Sequence, residues 1–268
     1  MIKICSMAPD SILRRMPALV DPSIRLRADL QLHCHDVMVN ALNRLRMMCM
    51  LVNSSKLAPG DLATMFADAW SIVDQVDLVR QVLKTIPGPN APVTTAFLEE
   101  AEAARKMRNS MDHISQRIPN IAAKKGACGP MFGNLSFVKC KPEVLKIAEI
   151  GEKIQCEFIN IARGTVPGLK IETSGTFSTY DVNEPISNIR LQTEGHSIRL
   201  DWMCVQLTDI LYGLEEGFNE SLKKSISEMV QETGLTAQQV GMPTPITMLN
   251  NIAIFIPYGP KNDSSEEV

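Results

Sequence analysis

Apolar side chains recur every three or four residues over four long stretches of the chain, and between the third and fourth the texture shortens and changes. From Ile24 to Val52, Leu26, Leu30, Val37, Ala41, Leu45, Met48 and Val52 keep a helical period with no proline or glycine inside. Asn53-Ser54-Ser55 and Pro59-Gly60 close that helix, and Asp61 is placed to cap a second one running to about Ile86. Pro87-Gly88-Pro89 stops it, and Pro92 opens a third at a first-turn position where its missing N–H removes no helical bond. From Phe97 to Ile118 the third stretch predicts one helix burying Phe97, Ala101, Ala104, Met111, Ile114 and Ile118. A fourth helix follows from Asp201, its expected cap, through Trp202, Val205, Leu207, Ile210, Leu214, Phe218, Leu222, Ile226 and Met229.

Between the third and fourth helices, Gly126, Gly129, Pro130 and Gly133 surround Met131 to Val138, and residues 153–161, 169–180 and 186–200 carry β-branched positions between turn formers. This predicts an antiparallel sheet of four or five strands. Residues 142–151 fit a helix and a strand equally. Pro9, Pro17 and Pro22 confine the N-terminal segment to a short strand or arm, residues 233–250 resemble a loop, Asn251 to Tyr258 a last strand, and Asp263 to Val268 an acidic tail. The expected fold class is α+β: a mainly helical bundle of four long helices with a small antiparallel β-sheet inserted between helices three and four. The corresponding regions are 1–120 (helical), 121–200 (β insertion), 201–232 (the helix completing the bundle) and 233–268. A rival layout makes the last helix part of a separate C-terminal α+β domain, packed on the sheet; the pattern alone does not choose.

Composition narrows the class. Of the 268 residues, 45% are apolar and 21% charged, which suits a globular chain, and the net charge of −3 argues against a protein that coats nucleic acid through a strongly basic surface. A local excess survives that mean: from Arg105 to Lys125 six cations (Arg105, Lys106, Arg108, Arg117, Lys124, Lys125) accompany one acid, Asp112. Seven scattered cysteines without a C-x-x-C pair indicate neither a zinc site nor a disulfide framework, so reduced thiols are expected. Charged residues near the N-terminus and the lack of any long apolar run point to a cytoplasmic protein with no membrane partner.

The third helix carries the candidate chemistry. Arg108-Asn109-x-x-x-His113 places a fixed cation, an amide and a side chain that titrates near neutral pH within six residues. Asn109 and His113 share a face, whereas Arg108 and His113 lie about 140° apart on a straight helix, so convergence needs a bend or a second chain. Asp112, four residues from Arg108, is a competing partner for the guanidinium. With four residues between Arg108 and His113, and Asn109 directly after the arginine, the helix resembles the signature helix of the HEPN superfamily, small helical bundles carrying R-x(4 to 6)-H. The resemblance covers about one helix and none of the sheet. It implies a homodimer that cleaves RNA without a metal or other cofactor, with His113 as acid or base, Arg108 stabilising the phosphate and Asn109 orienting His113 or a phosphate oxygen. Arg105, Lys106 and Arg117 would then contact the RNA. The alternative is a non-catalytic bundle whose surfaces bind a protein or nucleotide partner.

Other constellations are weaker. His33-Cys34-His35-Asp36 has metal-ligand residue types, but His33 and His35 point about 160° apart on a helix and cannot chelate together, which leaves either histidine available to a bundle interface. His196 lies in an expected turn before the fourth helix. The many methionines suit adaptable core packing. Residues 235–240 have a faint helix-turn-helix character without cations for phosphate.

Overall fold

The computed structural model describes residues 4, 6–14, 16, 20–52, 58–86, 91–123, 132–141, 143, 145, 156–162, 184–193 and 195–234. The expected strands at 169–180 and 251–258, the ambiguous segment 142–151 apart from two residues, the 235–240 segment and the acidic tail lie outside them. A 3-10 turn, Ile12–Arg14, precedes helices α1 (Pro22–Leu51), α2 (Pro59–Leu83), α3 (Pro92–Asp112) and α4 (Ile114–Ala123). Strands β1 (Asn134–Lys139), β2 (Glu157–Ala162), β3 (Ile186–Thr193) and β4 (His196–Arg199) follow, and then helix α5 (Leu200–Thr233). The fold is therefore α+β and mainly helical, with the sheet between the third and last long helices.

Local chemistry sets the helix boundaries. Asp21 caps α1 by accepting from the Ser23 and Ile24 N–H groups at 2.8 and 3.3 Å, just ahead of Pro22 in the first turn. Asp61, expected as the cap of α2, instead lies one turn inside: Ala58 is the capping position, Pro59 opens the helix, and the Asp61 carboxylate accepts from the Ala58 N–H at 3.0 Å. The long helix predicted from Phe97 to Ile118 is two helices. α3 ends at Asp112, His113 leaves the helical region (φ −106°, ψ 19°), and α4 continues past Pro119. The buried stripe accordingly stops at Phe97, Ala101, Ala104 and Met107; Met111 and Ile114 are half-buried and Ile118 is exposed.

The sheet is antiparallel in the order β2-β1-β3-β4. Gly133 turns the chain into β1 at φ +95°, where a Cβ would lie 2.8 Å from the Gln192 carbonyl of β3; a larger residue would collide with the ladder. Between Ser136 and Val138 the β1–β3 register shifts, so Asn188 and Ile189 face Phe137 alone. Asn188 takes φ +53° at this bulge, and its N–H donates at 2.8 Å to Asp201, a carboxylate 1% exposed. Asp201 is thus not the cap of α5 but a buried post tying the first turn of that helix to the bulge. Burial pushes its carboxyl above the usual range, against the opposing pull of Arg199, Arg46 and two backbone N–H groups.

α2 packs against α1 and α3, and α5 packs both on the helices and on β3, which unites the two layouts considered above. One apolar cluster runs from Leu13 and Met16 through Leu42, Ile72, Phe97 and Met107 to Phe137, Ile189, Leu207 and Leu211. A second small cluster, Val138, Cys140 and Leu145 with Cys156 and Phe158, sits at the far end of β1 and β2. There the reduced-thiol expectation fails: Cys140 and Cys156 form a disulfide one position beyond the Lys139–Glu157 pair, because antiparallel pairing places them opposite each other. Such bonds belong mainly to oxidising surroundings, which is at odds with the reducing compartment expected from the sequence. Cys34, Cys49 and Cys204 are free and buried, and burial pushes Cys34 up to about 11 and Cys49 to about 12. Among the described residues no helix is long and apolar enough to cross a membrane.

Candidate functional site at the end of α3

α2 and α3 are antiparallel neighbours, and their shared seam is ionic at one edge. Asp77, 5% exposed, accepts from Arg80 Nε and Gln81 Nε2, each at 2.8 Å, and from Arg108 Nη1 at 3.3 Å. Arg80, 9% exposed, reaches across to Glu102 at 3.1 Å. Glu102 also takes Lys84 and, at 2.8 Å, Arg105 Nε. These bonds, that from Lys84 foremost, hold its carboxyl down at about 2. Arg108 Nε lies 3.8 Å from Asp74, whose own carboxyl is raised by burial and only partly relieved by Arg108.

The sequence-predicted residues therefore divide. Arg105 is paired with Glu102 of its own helix, and Arg108 is turned toward α2; the partner of Arg108 is not Asp112, as its spacing suggested, but the α2 carboxylates. Lys106, Asn109 and His113 are exposed, and Arg117 lies on α4. Asn109 and His113 remain one turn apart, joined by the His113 N–H bond to the Asn109 carbonyl at 3.3 Å. No side-chain hydrogen bond or ion pair joins Arg108, Asn109 and His113 to one another among the described residues. The chain leaves the helical conformation at His113.

Sequence reasoning missed Asp74, Asp77, Arg80 and Glu102. A signal was present: Asp74, Asp77 and Arg80 interrupt an otherwise apolar run at spacings of three, the mark of charges on a partly buried face that must find partners. The constellation His33-Cys34-His35-Asp36 does not converge. His33 is exposed, Cys34 is in the core, His35 is wholly buried with Nε2 2.9 Å from Thr208 Oγ1, and Asp36 pairs with Arg14 through two bonds of 2.7 and 2.8 Å. His35 thus occupies the α1–α5 interface. His196 begins β4 opposite Thr193 rather than lying in a turn. No group of three or more metal-ligating side chains occurs among the described residues.

Fold and seam together define an α+β protein whose helices enclose one face of a four-stranded sheet, with an ion-paired α2–α3 edge leading to an exposed histidine. No protein-family model, curated protein or solved structure matches the chain.

Proposed function

We propose that the protein is a HEPN-like, metal-independent endoribonuclease that works as a homodimer. The observation that carries this reading is the break at His113, which sets an exposed imidazole at the end of α3, one turn from exposed Asn109 and five residues from Arg108. In the reaction the 2′-hydroxyl attacks the adjacent phosphorus, the bond to the 5′-oxygen breaks, and a 2′,3′-cyclic phosphate forms. His113 takes the proton from the nucleophile or gives one to the departing oxygen, and its copy in the second chain fills the other role. Arg108, 38% exposed, is oriented by Asp77 and Asp74 through Nη1 and Nε, which leaves its Nη2 edge for the charge developing on phosphorus.

The test is cleavage of a mixed-sequence RNA by purified protein, with His113→Ala and Arg108→Ala as controls and EDTA present. Cleavage that survives EDTA and disappears in both variants supports the reading. Activity equal in wild type and variants, or a strict monomer by light scattering at micromolar concentration, refutes it. A second reading, a non-catalytic bundle that binds a protein or nucleotide partner, is favoured by the same carboxylates: Asp74 and Asp77 partly neutralise the cation that should meet phosphate.

A further inference from the structure

The opposite half of α3 faces a separate pocket. Glu99 and Glu100 form one wall, Arg190 and Ser197 of the β3–β4 pair form the other, and Arg199 with Trp202 closes the end nearest α5, leaving about 330 Å³. Arg190 and Arg199 are direct partners in the β3–β4 ladder. That position brings side chains within about 5 Å at Cβ, and like charges there are destabilising.

The two arginines are not equally balanced. Arg199 has Asp201 at 3.5 Å and the Trp202 ring at 5.9 Å. For Arg190 no carboxylate partner occurs among the described residues, and its Nε is shut away from solvent with no acceptor. A half-buried guanidinium whose Nε is shut away without an acceptor, next to a second cation, is well suited to a bound dianion. The other wall differs: Glu100 is occupied by Trp202 Nε1 at 2.9 Å and Gln206 Nε2 at 3.4 Å, whereas Glu99 is exposed beside it.

We propose that this pocket binds a small hydroxylated phosphomonoester, its phosphate held by Arg190, Arg199 and the Ser197 hydroxyl and its hydroxyls donating to Glu99. A phosphomonoester carries close to two negative charges at neutral pH, which matches two guanidinium groups better than a carboxylate does. The acidic wall repels a second phosphate, and the volume is at the small end for ligand pockets, which suits a small monoester better than a nucleic-acid strand. This site lies about 13 Å along α3 from Asn109, counting nine residues from Glu100, and does not rest on the ribonuclease reading.

The experiment is titration calorimetry with thermal unfolding of the full chain, using ribose 5-phosphate, inorganic phosphate and ribose as probes. Ribose 5-phosphate should bind and raise Tm, inorganic phosphate should bind several-fold more weakly, and ribose should do neither. Arg190→Met should leave the Tm of the unliganded protein unchanged or raised, since it removes a like-charge pair, while weakening ribose 5-phosphate at least tenfold. Arg190→Lys, which keeps the charge but not the fork, should fall between. No heat and no Tm change with millimolar ribose 5-phosphate, or undiminished binding by Arg190→Met, would overturn the proposal; equal affinity for inorganic phosphate would overturn the role of Glu99.

Discussion

His35 is a buried base whose protonation the fold resists, and acid should expose the cost. The Thr208 hydroxyl donates to the Cys204 carbonyl at 2.7 Å, so its lone pair accepts from His35 Nε2–H at 2.9 Å. That assigns the proton to Nε2 and leaves Nδ1 unprotonated, buried, and without a partner among the described residues. Charging the ring would add an N–H with nowhere to donate. Burial lowers its pKa from 6.5 to about 4, nearby Asp36 opposing and Arg14 assisting. Because the unfolded chain protonates first, stability is intact above pH 6.5 and falls as pH drops toward 4. At about 1.4 kcal/mol per power of ten, the loss approaches about 3 kcal/mol, of which about 2.5 kcal/mol is reached by pH 4.5. The comparison protein is His35→Gln, which keeps a donor near the Nε2 position and does not titrate. Urea unfolding followed by the fluorescence of Trp70 and Trp202 between pH 7 and 4.5 gives the difference in slope, in which the carboxylates common to both proteins cancel. Equal pH slopes for the two, or a wild type that gains relative stability in acid, would refute the neutral, Nε2-protonated assignment.

Two further measurements address other parts of the fold. Alkylation under denaturing, non-reducing conditions should leave Cys140 and Cys156 unlabelled; replacing both by serine should lower stability in urea by about 3 kcal/mol, the entropy of closing a loop of this length, as the two lie 16 residues apart. Asp77→Ala should cost about 3 kcal/mol by the same assay, at the low end for breaking a buried pair because Glu102 still holds Arg80; a loss under 0.5 kcal/mol would show that the seam does not depend on Asp77.

Periodicity made the four long helices legible because each buries an apolar stripe against neighbours, and that requirement is written at every third or fourth residue. The sheet was legible from glycines, prolines and β-branched clusters, although Asn188 at its bulge carried no such mark. Of the candidate site, the exposed members Asn109 and His113 could be named from residue type and spacing. What Arg108 does could not, since its partners lie on α2, more than thirty residues earlier in the chain.

Residue order by itself determined where the long helices lie, the proline and glycine breaks that separate α1, α2 and α3, and which side chains carry chemistry. The tertiary structure decided what those side chains meet. It ended the third helix at His113, turned Arg108 onto carboxylates of α2, brought Cys140 opposite Cys156, and set Arg190 beside Arg199. The reason is range: capping and amphipathic periodicity act within a few residues, whereas ion pairs, disulfides and cross-strand neighbours depend on which distant segments packing brings together.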